Sequence, residues 1–156
     1  MAPNLIVIPA RLKATRLPGK PLADIAGEPM IVHVWRRAVE AECGPVMVVA
    51  DDEAICEAVR LAGGEALMTR PDHVSGSDRI FEAVSRIDPE GEIETIVNLQ
   101  GDLPTLDPLL VRACLGALGD GAADIGTIAA EITRDEERTD PNVVKVVGSP
   151  LGPRAL

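Results

Sequence analysis

Short apolar runs alternate with segments of helical periodicity along most of this chain, and that alternation constrains its fold more than any other feature. Four runs, most of them rich in β-branched residues, are typical of strands that are buried on both faces of a sheet. They lie at residues 5–8, 46–50, 66–69 and 95–99. Helical segments of about ten to fifteen residues separate them, and strands that alternate with such helices form βαβ units. The sequence therefore predicts an α/β fold, with a mostly parallel sheet and helices on both of its faces.

Local signals mark where the helices begin and end. Pro29 stands where a first helical residue would, and apolar residues recur at helical spacing as far as Val39. A second helix is expected after Asp51 or Asp52, either of which can be its cap, and it ends at Gly63. Two more helices are predicted at residues 77–87 and 107–118. Two further strands are predicted at residues 125–132 and 143–147, with a short charged turn between them. The chain has 156 residues, which fits one domain over residues 1–156.

The balance of charge is acidic, with 25 Asp and Glu against 15 Lys and Arg and a formal charge of -10. Such a chain is a poor general binder of nucleic acid or of anionic membranes. No apolar run approaches the ~20 residues that a membrane helix needs. The three cysteines are widely spaced and are typical of small apolar residues in a reducing compartment. We therefore expect a cytoplasmic protein with no nucleic-acid and no membrane partner.

The loop directly after the first predicted strand reverses this balance, because positions 11–20 contain four cations and no acid. The cations are Arg11, Lys13, Arg16 and Lys20. A phosphorylated ligand needs positive charge where backbone amides can also approach, and ligands bind at the carboxyl ends of strands in such sheets. A merely solvated loop is the alternative, which this position and sign disfavour. The loop is not a Walker A motif, since Ala14 and Pro21 occupy two of its required positions.

Two other loops follow predicted strands and contain candidate binding residues. Asp102 leaves the fourth strand and can hold Mg²⁺, which takes one or two protein carboxylates and completes its shell with water and phosphates. A simple Gly-Asp turn before a helix is the alternative. The polar loop that begins at Arg70 can bind a nucleobase edge through backbone and hydroxyl groups, although Ser77 is equally a helix cap. His73 is interpreted as a hydrogen-bonded loop residue rather than a general base.

Four motifs, in this order, resemble the 3-deoxy-manno-octulosonate cytidylyltransferases, the CMP-Kdo synthetases of lipopolysaccharide assembly. The motifs are IPARLKATRLPGKPL, MTRPDHVSGSDRI, VNLQGDLP and DPNVVKVV, and the similarity runs over essentially the whole chain. The resemblance implies a Rossmann-like nucleotidyltransferase fold. It also implies an enzyme that binds CTP and Mg²⁺, transfers CMP to the eight-carbon sugar acid Kdo and releases pyrophosphate.

The resemblance implies roles for particular residues as well. Arg11, Arg16 and Lys20 would hold the triphosphate, and Asp102 would bind Mg²⁺. The residues expected near the cytidine are Pro9, Ala10, Arg70, Ser75, Gly76 and Gln100.

This chain departs from the family pattern in two residues and in length. Ala14 stands where a serine is usual, and Leu103 stands where a glutamate is usual, which removes an acid beside the metal. Family members continue beyond Leu156, so we expect an N-terminal portion that lacks the acceptor and dimerisation part, with a homodimer as the full-length form. The alternatives are a catalytically inactive nucleotide-binding module and a cytidylyltransferase for another sugar acid, such as sialic acid.

Overall fold

The chain forms two units, Met1–Arg112 and Ala113–Leu156, in a computed structural model that describes residues 4–13, 17–119 and 123–148. The elements in chain order are β1 (Asn4–Ala10), a 3-10 helix (Lys20–Leu22), β2 (Asp24–Ile25), β3 (Glu28–Pro29), α1 (Met30–Glu40), β4 (Val46–Ala50), α2 (Glu53–Leu61), β5 (Glu65–Met68), α3 (Gly76–Ile87), β6 (Thr95–Asn98), α4 (Pro108–Gly116) and α5 (Asp135–Thr139). Within those ranges, no helix combines the length and the apolar character needed to span a bilayer.

Four of the strands form one parallel sheet in the order β5-β4-β1-β6. These are the four strands that the apolar runs predict, and the bounds of β4 match the prediction. The other two strands, β2 and β3, form a small antiparallel hairpin that the sequence analysis did not predict. The α/β class and the parallel sheet are confirmed.

Helices cover both faces of the sheet, as the continuous apolar strands require. Successive side chains of a strand point to opposite faces, and β1 follows this rule. Ile6 and Ile8 belong to a buried cluster that also contains residues of α1 and α2. Leu5 and Val7 belong to a second cluster that contains Ile80 of α3. The central strand is therefore buried from both sides, and only its ends are left for binding.

The order of the strands places the two predicted phosphate and metal loops side by side. The chain builds β1, β4 and β5 outward in one direction, and then returns to add β6 on the other side of β1. In open α/β sheets, ligands bind beyond the carboxyl ends of the strands at such a reversal. The loops that follow β1 and β6 flank the reversal in this chain.

The two strands predicted at residues 125–132 and 143–147 are wrong. In the described part of the second unit, neither segment pairs with another strand. The charged stretch between them forms α5 rather than a turn, and the acids Asp135, Glu136 and Glu137 lie in its first turn, where the helix dipole favours negative charge. A β-branched pattern fits a strand, but a strand forms only where a neighbour completes its ladder of hydrogen bonds.

Candidate functional site

Two loops approach Pro9 closely near the end of β1. A Cβ atom on Gly76 would lie 3.1 Å from Cγ of Pro9, and one on Gly101 would lie 2.8 Å from the carbonyl oxygen of Pro9. Both glycines thus let a loop backbone approach the strand more closely than a side chain allows. The structure therefore brings together Pro9, Ala10, Gly76 and the loop that contains Gln100.

A proline is tolerated in this central strand because of where β6 ends. Alternate residues of β1 bond to opposite neighbours: Ile6 donates to the carbonyl of Pro45, whereas the carbonyl of Val7 accepts from Leu99 at 3.0 Å. Pro9 has the same parity as Val7, and the last residue pair between β1 and β6 is Val7 with Asn98. The missing N–H of Pro9 therefore costs no ladder bond. The space beside Pro9 is open to the Gly101 backbone.

Lys20 and Asp102 form an ion pair beside these loops. The Nζ atom of Lys20 lies 2.7 Å from Oδ2 of Asp102, and the side chains are 37% and 50% exposed. A pair this exposed contributes about 0–1 kcal/mol to stability. Either partner can therefore be transferred to a ligand at little cost, Lys20 to a phosphate and Asp102 to a cation. The sequence predicted both residues as site residues but not their contact.

The carboxylate of Asp102 suits a divalent cation that prefers oxygen ligands, such as Mg²⁺ or Mn²⁺. Among the residues that the structure describes, no three His, Cys, Asp or Glu side chains cluster as metal ligands. Mg²⁺ needs only one or two carboxylates, and Asp102 offers one. The side-chain amide of Gln100 donates to Oδ1 of Asn98, the last residue of β6, at 3.1 Å, so two side-chain amides lie just before Asp102 in the chain. Leu103 adds no further oxygen ligand.

The cationic loop, residues 11–20, is anchored at both ends. The amide of Gly19 donates to the carbonyl of Leu12 at 3.0 Å, and Gly19 has a φ of 71°, a left-handed conformation that favours glycine. Leu12 and Leu22 pack against the core. The amide of Leu12 also donates to Oδ1 of Asp51 at 2.9 Å. These contacts hold the ends of the loop beside the sheet.

The structure describes Arg11 and Lys20 of this loop but not Arg16. Arg11 is exposed directly after β1, and Lys20 begins the 3-10 helix that follows the loop. Arg16 and Ala14 lie outside the described residues, so the role of Arg16 stays a prediction.

The base loop, residues 70–76, ends in the cap of α3. The hydroxyl of Ser75 accepts from the amide of Asp78 at 3.1 Å, and the carboxylate of Asp78 accepts from the amide of Ser75 at 3.0 Å. This capping box makes Ser75 the cap, so the alternative in which Ser77 caps the helix is wrong. The bonds from the Ser75 hydroxyl and amide hold the pKa of Asp78 below its usual value.

Glu82 of α3 fastens the other end of the base loop. It accepts from the ring of His73 and from the amide of Arg70 at 3.1 Å, and the bond from His73 is the main cause that lowers the pKa of Glu82. His73 is thus a hydrogen-bonded loop residue, as predicted. The Arg70 side chain lies 3.6 Å from Asp72 and 3.7 Å from Glu82. These contacts line a shallow groove of about 600 Å³ along α3. Arg70 therefore contacts this groove, and its described contacts do not bring it to Pro9, where the other residues predicted near the cytidine lie.

Sequence reasoning missed two charged residues beneath the site, Arg79 and Asp51. Arg79 is 3% exposed, and its guanidinium lies 3.7 Å from Oδ2 of Asp51. Asp51 was considered only as a helix cap, a role that Asp52 fills by accepting from Ala54. One signal could have identified Arg79, because it lies next to Ile80 on the buried stripe of α3. A cation on an apolar stripe requires a buried partner.

Comparisons with known proteins agree with this geometry. A family model described as cytidylyltransferase matches residues 5–153. The 3-deoxy-manno-octulosonate cytidylyltransferase of Methylobacterium nodulans is 62% identical over 100% of this chain, which spans 63% of that relative. The one of Nitrobacter hamburgensis is 62% identical over 98% of this chain and 59% of its own length.

Solved structures agree as well. A CMP:2-keto-3-deoxy-manno-octonic acid synthetase complexed with CTP has a TM-score of 0.70 and 45% identity, and the match covers 77% of this chain and 48% of that one. A cytidylyltransferase from Leptospira borgpetersenii, with a TM-score of 0.62, 22% identity and coverage of 78% of this chain and 52% of that one, supports the fold alone. The match of the family model over nearly the whole sequence confirms the resemblance carried by the four motifs, and the chain belongs to the cytidylyltransferase family.

Proposed function

We propose that this chain supplies the nucleotide site of an enzyme that transfers CMP from CTP to 3-deoxy-manno-octulosonate (Kdo) and releases pyrophosphate. One observation carries the proposal: Gly76 of the base loop and Gly101 both pack against Pro9, and Asp102, which directly follows Gly101, pairs with Lys20 of the cationic loop. These contacts lie at the point where the strand order reverses. The names of the relatives supply the choice of CTP and of Kdo.

The base loop and the end of β1 would hold the cytidine mainly through backbone groups. Ala10 is 6% exposed, and the hydroxyl of Ser75 is engaged in its capping box. Gly76 is the first residue of α3, and the first amides of a helix have no partner within it. For Arg70 to reach the base, its side chain has to leave Asp72 and Glu82. Both contacts are longer than 3.5 Å, so their loss costs little.

The cationic loop would hold the triphosphate, with Arg11, Arg16 and Lys20 as its ligands. In the transfer, the anomeric oxygen of the sugar acid bonds to the α-phosphorus while the bond to the bridging oxygen breaks, and that oxygen leaves with pyrophosphate. The hydroxyl proton passes to water. Cations on the β- and γ-phosphates stabilise this leaving group, and catalysis depends on position and charge rather than on a protein base.

Asp102 would hold Mg²⁺, with Lys20 moving from its carboxylate to a phosphate oxygen. When bound there, Mg²⁺ would neutralise phosphate charge and polarise the α-phosphorus. The proposal includes Mg²⁺ as the cofactor because Asp102 provides a single exposed carboxylate of the kind this ion accepts.

The wider assignment is also proposed. We assign residues 1–156 to a nucleotide-binding domain, because the family model matches residues 5–153 and all of the predicted site residues would bind nucleotide or metal. A role in lipopolysaccharide biosynthesis and a homodimer as the full-length form follow from the resemblance. The free cysteines Cys43, Cys56 and Cys114 support a cytoplasmic location. The charge of -10 disfavours nucleic acid as a partner.

Calorimetry of the 156-residue chain with CTP and Mg²⁺ tests the nucleotide site. We expect saturable binding of CTP, with GTP and UTP weaker by at least about tenfold, equal to about 1.4 kcal/mol. Lys20→Ala should weaken CTP binding by about ten- to a hundredfold, because a hydrogen bond to a charged group contributes about 1.5–3 kcal/mol. Arg138→Ala is the control, since Arg138 is an exposed cation in a similar exposed pair, with Asp135.

Pyrophosphate release with CTP, Kdo and Mg²⁺ then separates transfer from binding. Release only with Kdo supports the full proposal, and release with a sialic acid instead changes the acceptor. Binding without release assigns only nucleotide binding to this chain. Absence of CTP binding overturns the proposed site.

A further inference from the structure

A buried ion pair lies between the anchor points of the cationic loop and the base loop. We propose that Asp51 and Arg79 hold these two loops in a fixed relative position, and that both are positioning residues for nucleotide binding. The inference rests on the proposed function, because it requires the phosphates of one ligand to bind the first loop and its base to bind the second.

Arg79 contacts the start of the base loop and the strand that leads into it. From α3, its guanidinium donates to Oγ1 of Thr69 at 2.5 Å and to the carbonyl of Arg70 at 3.1 Å. The hydroxyl of Thr69 in turn donates to the carbonyl of Ala50 at 2.9 Å. One side chain thereby joins α3 to the carboxyl ends of β5 and β4.

Asp51 extends the connection to the cationic loop. Its Oδ2 atom lies 3.7 Å from the guanidinium of Arg79, an ion-pair distance rather than a hydrogen bond. Its Oδ1 atom accepts the amide of Leu12 at 2.9 Å, and Leu12 directly follows Arg11. The Arg79 and Asp51 side chains are 4% and 9% exposed. The two loops thus share one buried carboxylate and one buried guanidinium.

A contribution to stability does not by itself explain why Arg79 and Asp51 are buried together. Apolar residues of similar size often replace a buried ion pair with no loss of stability, because the desolvation of two charges offsets their attraction. In the described residues, every buried side-chain nitrogen and oxygen has a hydrogen-bond partner. A fully satisfied polar network of this kind rigidifies the groups that it connects. The connected groups here are two loops that would bind opposite ends of one ligand.

Coupled loops predict a particular pattern of binding. A ligand that spans both loops gains from their fixed spacing, because it does not have to bring them into position when it binds. A ligand that contacts only the cationic loop gains nothing from that spacing. Loss of Arg79 should therefore weaken CTP much more than it weakens a bare polyphosphate.

The test compares Arg79→Met with the wild-type chain by calorimetry, with CTP and with inorganic tripolyphosphate, both with Mg²⁺. We expect CTP binding to weaken by at least about tenfold and tripolyphosphate binding to change by less than about twofold. Arg79→Lys retains the charge but lacks the planar fork, so it should restore part of the affinity for CTP. Arg60→Met is the matched control, since Arg60 also joins a helix to a strand carbonyl, that of Ala66, but lies on the surface.

Amide hydrogen exchange of the ligand-free chain provides a readout that does not depend on nucleotide. In Arg79→Met, the Leu12 amide should exchange at least about tenfold faster, while the Ile6 amide in β1 keeps its protection. Equal weakening of CTP and tripolyphosphate, or unchanged exchange at Leu12, would overturn the inference. If the wild-type chain binds no CTP, the proposed function fails, and the exchange of Leu12 still decides whether the ion pair holds the loop.

Discussion

Replacing Gly101 with alanine tests whether the close approach to Pro9 shapes the site. The added Cβ would lie 2.8 Å from the carbonyl oxygen of Pro9 and 3.5 Å from Cδ1 of Ile31. Close carbon–oxygen contacts in proteins are about 3.3–3.6 Å, so the atoms have to separate by roughly 0.5 Å. Pro9 lies in the central strand of the sheet, paired with β4. The loop that contains Asp102 therefore moves rather than the strand.

The size of this effect follows from the atom that is contacted. Overpacking against atoms that cannot yield costs about 1–3 kcal/mol. A cost of about 2 kcal/mol lowers the Tm of a chain of this size by about 4–8 °C. Because Asp102 follows Gly101 directly, we also expect CTP binding to weaken by about tenfold, equal to about 1.4 kcal/mol.

Two other glycines provide a graded comparison. Gly76→Ala places its Cβ 3.1 Å from Cγ of Pro9, a ring atom that can shift slightly, so we expect a loss below about 1 kcal/mol. Gly116→Ala in α4 meets nothing within 4 Å, and alanine favours helix over glycine by up to about 1 kcal/mol. Its stability should be unchanged or slightly higher.

Thermal unfolding and calorimetry with CTP measure both effects on the three variants. The reasoning predicts that Gly101→Ala is the least stable and the weakest binder, followed by Gly76→Ala and then by Gly116→Ala. If Gly101→Ala melts at the same temperature as Gly116→Ala and binds CTP equally well, the contact with Pro9 does not constrain the loop.

Two further predictions concern single carboxylates. Asp102→Asn should remove most of the Mg²⁺ dependence of CTP binding. It should lower the free energy of unfolding by less than about 1 kcal/mol, because the pair of Asp102 with Lys20 is exposed. Titrations of the variant with and without Mg²⁺ measure this, and a dependence that persists would contradict the prediction. The backbone amides of Ile93 and Glu92 hold the pKa of Asp88 below its usual value. Because the folded-state pKa is depressed, the contribution of Asp88 to stability is present above about pH 3.9 and is lost as the pH falls through the folded value. Asp88→Asn should therefore flatten the acid loss of stability, measured by urea unfolding at about pH 6 and about pH 3, and an equally steep loss in the variant would exclude this role.

Local patterns were sufficient to predict most of the first unit. The run at residues 46–50 is a buried strand with the predicted bounds, and α1 begins at Met30, directly after Pro29. These elements were predictable because their apolar residues and their stop signals lie within one short stretch of chain. The segment at residues 143–147 has a similar β-branched pattern and is not a strand, since a strand also depends on a neighbour that no local pattern specifies.

In the candidate site too, local motifs predicted the residues but not the contacts between distant segments. Its motifs predicted which residues carry charge near a phosphorylated ligand, and Lys20 and Asp102 do lie together. Their contact joins residues 82 positions apart, a separation that neither motif encodes. Arg79 was part of a quoted motif, yet its role was missed because its partner Asp51 belongs to another loop.

The amino-acid sequence by itself therefore determined the βαβ alternation, the cationic loop and the family. These depend on residue type, periodicity and order, which are properties of short segments. The tertiary structure alone decided that β6 returns to the side of β1, that Gly76 and Gly101 close on Pro9, and that Arg79 meets Asp51. The physical reason is that such contacts depend on how distant segments pack and pair, and their free energies appear only once the chain is folded.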